Sequence, residues 1–233
     1  MARITRKELK TDKFALKVGH TVTFFEEHRQ YLVRYAGIAL GVVALIVGYF
    51  FYAGHEHTAR EAALSHAIEV QEAPVGGVSA TGGLTFPTQE TKDKEAIKVF
   101  TDLKSKYSGS MEAEVAQYYL GSILADQGSL AQAEKSFQEA AEKGDAKYSS
   151  LAKLSLAQIY FSDGRDTQGE TMLRDLMAHP TVFVSSQQAT ITLAKYLALK
   201  KPAEARKLLE PLRTEPGAVG QVALTILGEI LNN

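Results

Sequence analysis

Cysteine is absent from the 233 residues. That excludes a disulfide framework, a thiolate zinc site and a cysteine nucleophile. No HExxH, no GxSxG and no GxxxxGK followed by Ser or Thr occurs, so zinc-protease, serine-hydrolase and phosphate-loop chemistry all lack their sequence elements. Histidine is sparse, at positions 20, 28, 55, 57, 66 and 179. His55-Glu56-His57, with Glu61 and His66 nearby, is the one grouping that invites a metal. Residues two apart on a helix point away from each other, so His55 and His57 share one ion poorly, whereas His57 and Glu61 sit one turn apart. Acidic pairs such as Glu26-Glu27 read as solvated charge. The chain is therefore read as non-enzymatic, with no metal and no cofactor. It also lacks strand-like alternation of any length, which leaves an all-α class.

One long apolar run is present. Tyr35 to Gly54 are twenty consecutive residues without a charge, between Arg34 and His55, enough to cross a hydrocarbon core at roughly 1.5 Å per residue. Eight basic residues precede it (Arg3, Arg6, Lys7, Lys10, Lys13, Lys17, Arg29, Arg34) against four acidic ones, and only Arg60 is basic in the eighteen residues after it. Basic flanks stay on the cytoplasmic side, so the N-terminus is expected inside and the body outside. The body keeps 18 of the 26 basic and 23 of the 27 acidic residues, a net of −5 that the whole-chain value of −1 hides. With no basic patch to release counterions, nucleic acid is not expected as a partner. A cleaved signal peptide would need a shorter head, a shorter apolar core and a small-x-small site. Here Tyr49, Phe50, Phe51 and Tyr52 end the run, as in an interfacial aromatic belt. The span reads as an uncleaved signal anchor. Its Gly37, Gly41 and Gly48 share one side, where small residues permit close helix approach, either to another copy or to a different membrane protein.

The body repeats itself. A helical stretch from His55 to about Glu72, with Ala59, Ala62, Ala63, Ala67 and Ile68 at helical spacing, leads to Pro74–Gln89, which holds four glycines, two prolines and no charge and reads as a loop. Beyond it, columns align at a period of 36 to 37: Ala96, Ala133, Gly169 and Ala205; then Phe100, Phe137, Leu173 and Leu209; then Leu103, Ala140, Leu176 and Leu212. A separate column holds Leu120, Leu156 and Leu193, followed by Gly121, Ala157 and Ala194. A small residue where two helices cross lets their backbones approach, and the large residues fill the space beside it. Ala133 is therefore expected at a helix crossing and Phe137 in the core.

These columns resemble the tetratricopeptide repeat, a helix–turn–helix unit with L-G in its first helix and A-x3-F in its second. The resemblance spans residues 91 to 231. Repeat one, from Glu114 to about Lys147, carries Leu120-Gly121, Leu124, Gly128 in the turn, Ala133, Phe137 and Ala140. Repeat two keeps Leu156-Ala157, Tyr160 and Gly164, with Gly169 in place of alanine; repeat three has a shorter turn at Lys200-Lys201-Pro202. Pro202 suits the start of a helix and Pro211 its end. Lys94–Tyr107 looks like the second helix of an incomplete unit whose first helix is the His55–Glu72 stretch, and Gly217–Leu231 is a closing helix. The expected architecture is a single N-terminal transmembrane helix followed by a short solenoid of such units. It divides into a basic cytoplasmic head (1–34), the signal anchor (35–54), a membrane-proximal helix and Gly/Pro-rich loop (55–90) and the repeat domain (91–233).

The layout, with Phe24-Phe25-Glu26-Glu27 and Tyr31-Leu32 before a glycine-rich anchor and a small exported repeat domain, resembles the YfgM-type ancillary subunits of the bacterial Sec translocon, whose repeat domain is related to that of the Tol-Pal cell-division coordinators. The resemblance implies a protein of the bacterial inner membrane whose periplasmic domain links translocon subunits to periplasmic chaperones or to nascent exported chains. The alternative is a structural scaffold subunit of another inner-membrane complex, or a cell-envelope or division factor. Resemblance to the repeat family also implies which first-helix positions face inward: Val115, Tyr118, Ser122, Ala125 and Asp126; Leu151, Leu154, Gln158, Phe161 and Ser162; Gln188, Ile191, Lys195, Ala198 and Leu199. From these a partner-binding groove of Tyr118, Leu151, Leu154, Gln158, Phe161, Ile191 and Lys195 is expected. Tyr118, Leu154, Phe161 and Ile191 form its apolar strip, and Tyr118 and Phe161 are its anchors.

Overall fold

A computed structural model describes residues 29–77 and 82–232. Residues 1–28, with Phe24-Phe25-Glu26-Glu27 and most of the basic head, lie outside the described residues, as do residues 78–81 of the uncharged loop. The described residues are all-α: nine α-helices, one 3-10 turn and no strand. They fall into two compact units, divided between Thr58 and Ala59.

Helix α1 spans Arg29–Glu72. Among the described residues it is the one helix long and apolar enough, by length and composition, to cross a membrane, and its apolar window has no side chain buried against the protein. A Cβ placed on Gly37, Gly41 or Gly48 would meet nothing within 4 Å, so the small-residue side of this segment is bare.

The second unit is a chain of helix pairs. After α1 come α2 (Gln89–Lys106), α3 (Met111–Asp126), α4 (Leu130–Lys143), α5 (Ala146–Ser162), α6 (Asp166–Ala178), α7 (Ser186–Lys200), α8 (Pro202–Leu209), a 3-10 turn (Glu210–Thr214) and α9 (Ala218–Asn232). From α2 onward each helix packs chiefly on its neighbours in sequence, as a solenoid requires. The first helix of each pair starts with a side-chain cap: Ser110 accepts from the Ala113 amide, Asp145 from Tyr148 and Ser185 from Gln188, at 3.0–3.2 Å. Each cap supplies an acceptor to an amide that has no partner inside the helix. The second helices α4 and α6 lack such caps, because they follow tight turns through Gly128 and Gly164, both at φ +74°. Ser129 N–H and Arg165 N–H reach back to the Leu124 and Tyr160 carbonyls at 2.8 and 2.7 Å, closing the preceding helix through a left-handed glycine. In the third turn Pro202 occupies the first position of α8, where its missing N–H costs nothing. Pro211 falls in the 3-10 turn that ends α8.

All the repeat columns are buried. Ala96, Ala133 and Ala205 have no exposed surface and Gly169 is buried; Phe100, Phe137, Leu173 and Leu209 lie at 2% exposure or less. The incomplete unit has its expected partner: Ala67 and Val70 at the end of α1 pack with Ala96, Phe100 and Leu103 of α2 and Ala113 and Ala116 of α3. Arg60 approaches the buried Glu112 carboxylate at 3.6 Å. The uncharged loop between them is pinned at its base, where Val75 and Phe86 bridge and the Gly76 and Phe86 amides donate to the Phe86 and Pro74 carbonyls at 3.0 Å.

Candidate functional site

The inner-facing residues named from the sequence lie on α3, α5 and α7, the first helices of three successive pairs. Leu151, Leu154, Phe161 and Ile191 join one apolar cluster with Leu173, Leu193 and Leu197. Leu154 is buried there, the other three are half-buried, and Gln158 and Lys195 are exposed. Tyr118 is half-buried in a different cluster, against Phe137 and Ala133. The strip is thus continuous in sequence register but divided between two cores.

Each anchor ring has a neighbour that holds it. Phe161 stacks on Tyr196 at 3.7 Å between ring centres, and its edge lies 2.5 Å from where a Cβ on Gly169 would be. That explains why repeat two departs from alanine at this column: the ring takes the methyl's place. Tyr118 meets Tyr119, Phe137 and Tyr148 at 5.6, 5.8 and 5.7 Å, separations at which aromatic pairs attract. Burial pushes the Tyr118 hydroxyl above its usual range, with Tyr119 adding to the effect. Burial pushes Tyr148 up to about 12, again with Tyr119 contributing. Both stay neutral donors at any ordinary pH.

Sequence reasoning missed a second aromatic feature. Phe100 stacks on Tyr119 at 5.0 Å, Tyr119 meets Tyr148 at 6.4 Å, and Tyr148 meets Phe183 edge-on at 5.4 Å. This row crosses from α2 over α3 and α5 to the turn before α7. Its outer end is open: Phe183 is 39% and Val182 86% exposed, with the Lys147 ammonium 5.9 Å from the Phe183 ring. The residues stand just outside the family's inner positions, and their spacing of 29 and then 35 residues hides them from a search at one period.

Ion pairs bind the turns to the preceding second helix. Arg165 grips Glu134 through two bonds of 2.7 and 2.6 Å and lies 4.4 Å over the Tyr160 ring. Lys200 and Lys201 reach Asp166 and Glu170 at 2.6 and 2.7 Å. These charges engage one another, and among the described residues no group of three or more His, Cys, Asp or Glu side chains is placed to hold a metal ion. What the surface offers is apolar and aromatic area flanked by amide and ammonium groups, the chemistry of protein recognition.

No curated protein and no solved structure matches the chain. A family model described as a tetratricopeptide repeat-like domain matches residues 23–211, a stretch that takes in the apolar helix, the incomplete unit and the paired helices through α8. The buried small-residue columns, the paired helices and this match agree, and the chain belongs to the tetratricopeptide repeat-like family.

Proposed function

We propose that the protein is a membrane-anchored adaptor, held in the bacterial inner membrane by α1 with its N-terminus in the cytoplasm, whose repeats recruit protein partners in the periplasm beside the Sec translocon. The partners under this reading are translocon subunits through the span, and chaperones or emerging exported chains through the repeats. One observation carries most weight. Partly exposed aromatic and aliphatic side chains (Tyr118, Tyr148, Leu151, Phe161, Ile191) recur on successive first helices, with Phe183 in the turn before α7. Charge asymmetry supports the orientation, with eight basic residues before the span and one soon after.

The scaffold alternative has its own support. The bare side of Gly37, Gly41 and Gly48 is a surface through which the span alone makes the contact, in a complex other than the translocon. A pull-down in mild detergent, read by mass spectrometry, separates the two. Because Tyr118 and Phe161 are partly core, the repeat surface is best disabled at its exposed positions, with Phe183→Ser and Gln158→Glu together. Loss of soluble partners with translocon subunits retained supports the adaptor. Loss only in Gly37→Leu with Gly41→Leu supports the scaffold, and absence of translocon subunits from the wild-type sample defeats the translocon assignment.

A further inference from the structure

The fifteen residues of helix α9 carry one charge, Glu229, and the helix leaves Leu224 54% and Leu231 69% exposed. Between those leucines, four residues after one and three before the other, lies Gly228, with nothing within 4 Å of where a Cβ would project. Two ridges with a notch between them form a shape into which the same shape fits when turned about a two-fold axis. Beside this side of the helix a groove runs between α7 and α9, floored by Ala198, Val222 and Ile226 and edged by Leu199, which is 84% exposed. Its rims bear opposite charges, Lys195 on α7 and Glu229 on α9. Neither is engaged in an ion pair among the described residues.

We propose that this face is the contact between two copies of the chain, with α9 crossing its partner's α9 about a two-fold axis and each Lys195 meeting the other copy's Glu229. The charge pattern selects a second copy over an arbitrary apolar partner. Opposite charges on opposite rims become two reciprocal attractions under two-fold symmetry, whereas a helix of another sequence must supply both signs at the right spacing. Apart from that pair, the strip Gln221-Leu224-Thr225-Gly228 is uncharged, so two bodies of net −5 meet without like charges set against each other along it. Lys195 also belongs to the expected partner groove, but Leu224 does not, so Leu224→Glu tests the dimer apart from the adaptor reading.

The test uses the full chain in mild detergent with Gly37→Leu and Gly41→Leu, so that the span does not hold copies together. Sedimentation equilibrium should give a dimer, and Leu224→Glu, on an exposed residue, should weaken it by at least about tenfold while helical circular dichroism is unchanged. Lys195→Glu should weaken it too, and Lys195→Glu with Glu229→Lys should restore it. Since the chain has no cysteine, a single Thr225→Cys should crosslink to itself on oxidation and Thr171→Cys on α6 should not. A monomer at tens of micromolar overturns the proposal. So does a dimer indifferent to Leu224→Glu, or equal crosslinking at the two cysteines. Loss of chaperone capture with the dimer intact would instead count against the adaptor reading alone.

Discussion

Repeats one and two each set a ring against a glycine where their two helices pack, but at different columns and from opposite helices. In repeat one the first helix supplies the gap and the second the ring: a Cβ on Gly121 would stand 2.8 Å from Phe137. In repeat two the first helix supplies the ring and the second the gap, Phe161 over Gly169. At the columns where repeat one has Gly121 and Phe137, repeat two has Ala157 and Leu173, both fully buried. At the columns of Phe161 and Gly169, repeat one has Ala125 and Ala133, so the second ring-on-glycine contact is a separate one along the same helix pair. The difference has a consequence for surface. Phe137 is sealed at 2% exposure, whereas Phe161 is half-buried and stacked on Tyr196 of the next repeat. Repeat one hides its ring between its own helices; repeat two uses its ring to join its neighbour.

The largest expected effect is at the sealed ring. Phe137→Ala should cost roughly 3–5 kcal/mol, read as the loss in unfolding free energy of the second unit. Phe161→Ala should cost less, since part of its surface is already wet. An equal or greater loss at Phe161 would mean that the junction between repeats matters more than the crossing within one.

Overpacking comes next. Ala133 has no exposed surface, so Ala133→Leu should destabilise by roughly 1–3 kcal/mol. Gly169→Ala is the sharper case, because the helix interior gains about 1 kcal/mol from alanine while the new methyl meets a ring that Tyr196 keeps from retreating. Overpacking should win, giving net destabilisation of about 1 kcal/mol or somewhat more. Phe161→Leu should relieve it, so the two changes together should cost less than their sum. Simple additivity would show that the ring swings away freely and that glycine at this column has another cause.

Much of this was legible in the sequence. The period-36 columns name Ala133, Phe137, Leu156, Leu173 and Leu193, and all are buried, because a solenoid repeats its packing and so repeats its spacing. The departure at Gly169 was visible too, but its cause was not: the ring that replaces the methyl comes from eight residues earlier, outside the columns. The inner positions are a matter of helix register, yet register does not say whether a side chain points to solvent or leans on the next helix. Tyr118 and Phe161 lean, and Gln158 does not. The Tyr119–Tyr148–Phe183 row was invisible for the same reason, since it is made by neighbouring helices at unequal spacing. Helix α9 was legible as a closing helix, but its bare leucines follow from which side α7 and α8 cover.

The smallest expected effect sharpens the comparison at the turns. At the turn of repeat one, the neutral amide of Gln127 donates to Asp93 at 3.4 Å, while the Lys104–Glu139 ion pair at 3.0 Å joins the same two units away from the turn. At the turn of repeat two the corresponding contact is the two-bond Arg165–Glu134 pair, and Gln138 adds a third donor to Glu134 at 3.0 Å. The hydrogen bonds from Arg165 hold the Glu134 carboxyl below its ordinary value of 4.5, despite partial burial. A carboxyl whose folded value is depressed contributes stability that is whole above its unfolded value and lost as the pH falls through the folded one. Glu134→Gln should therefore lower the melting temperature modestly at pH 7, and the gap to wild type should close as the pH drops below 4.5. Gln127→Ala removes no titrating group, so its gap should stay level over the same range. Melting curves of the full chain across that interval, followed by helical circular dichroism, read both. If the Glu134→Gln gap is as wide in acid as at pH 7, the pair contributes through shape and neutral hydrogen bonds, and the turn contact of repeat two is no more electrostatic than the Gln127 contact at the turn before it.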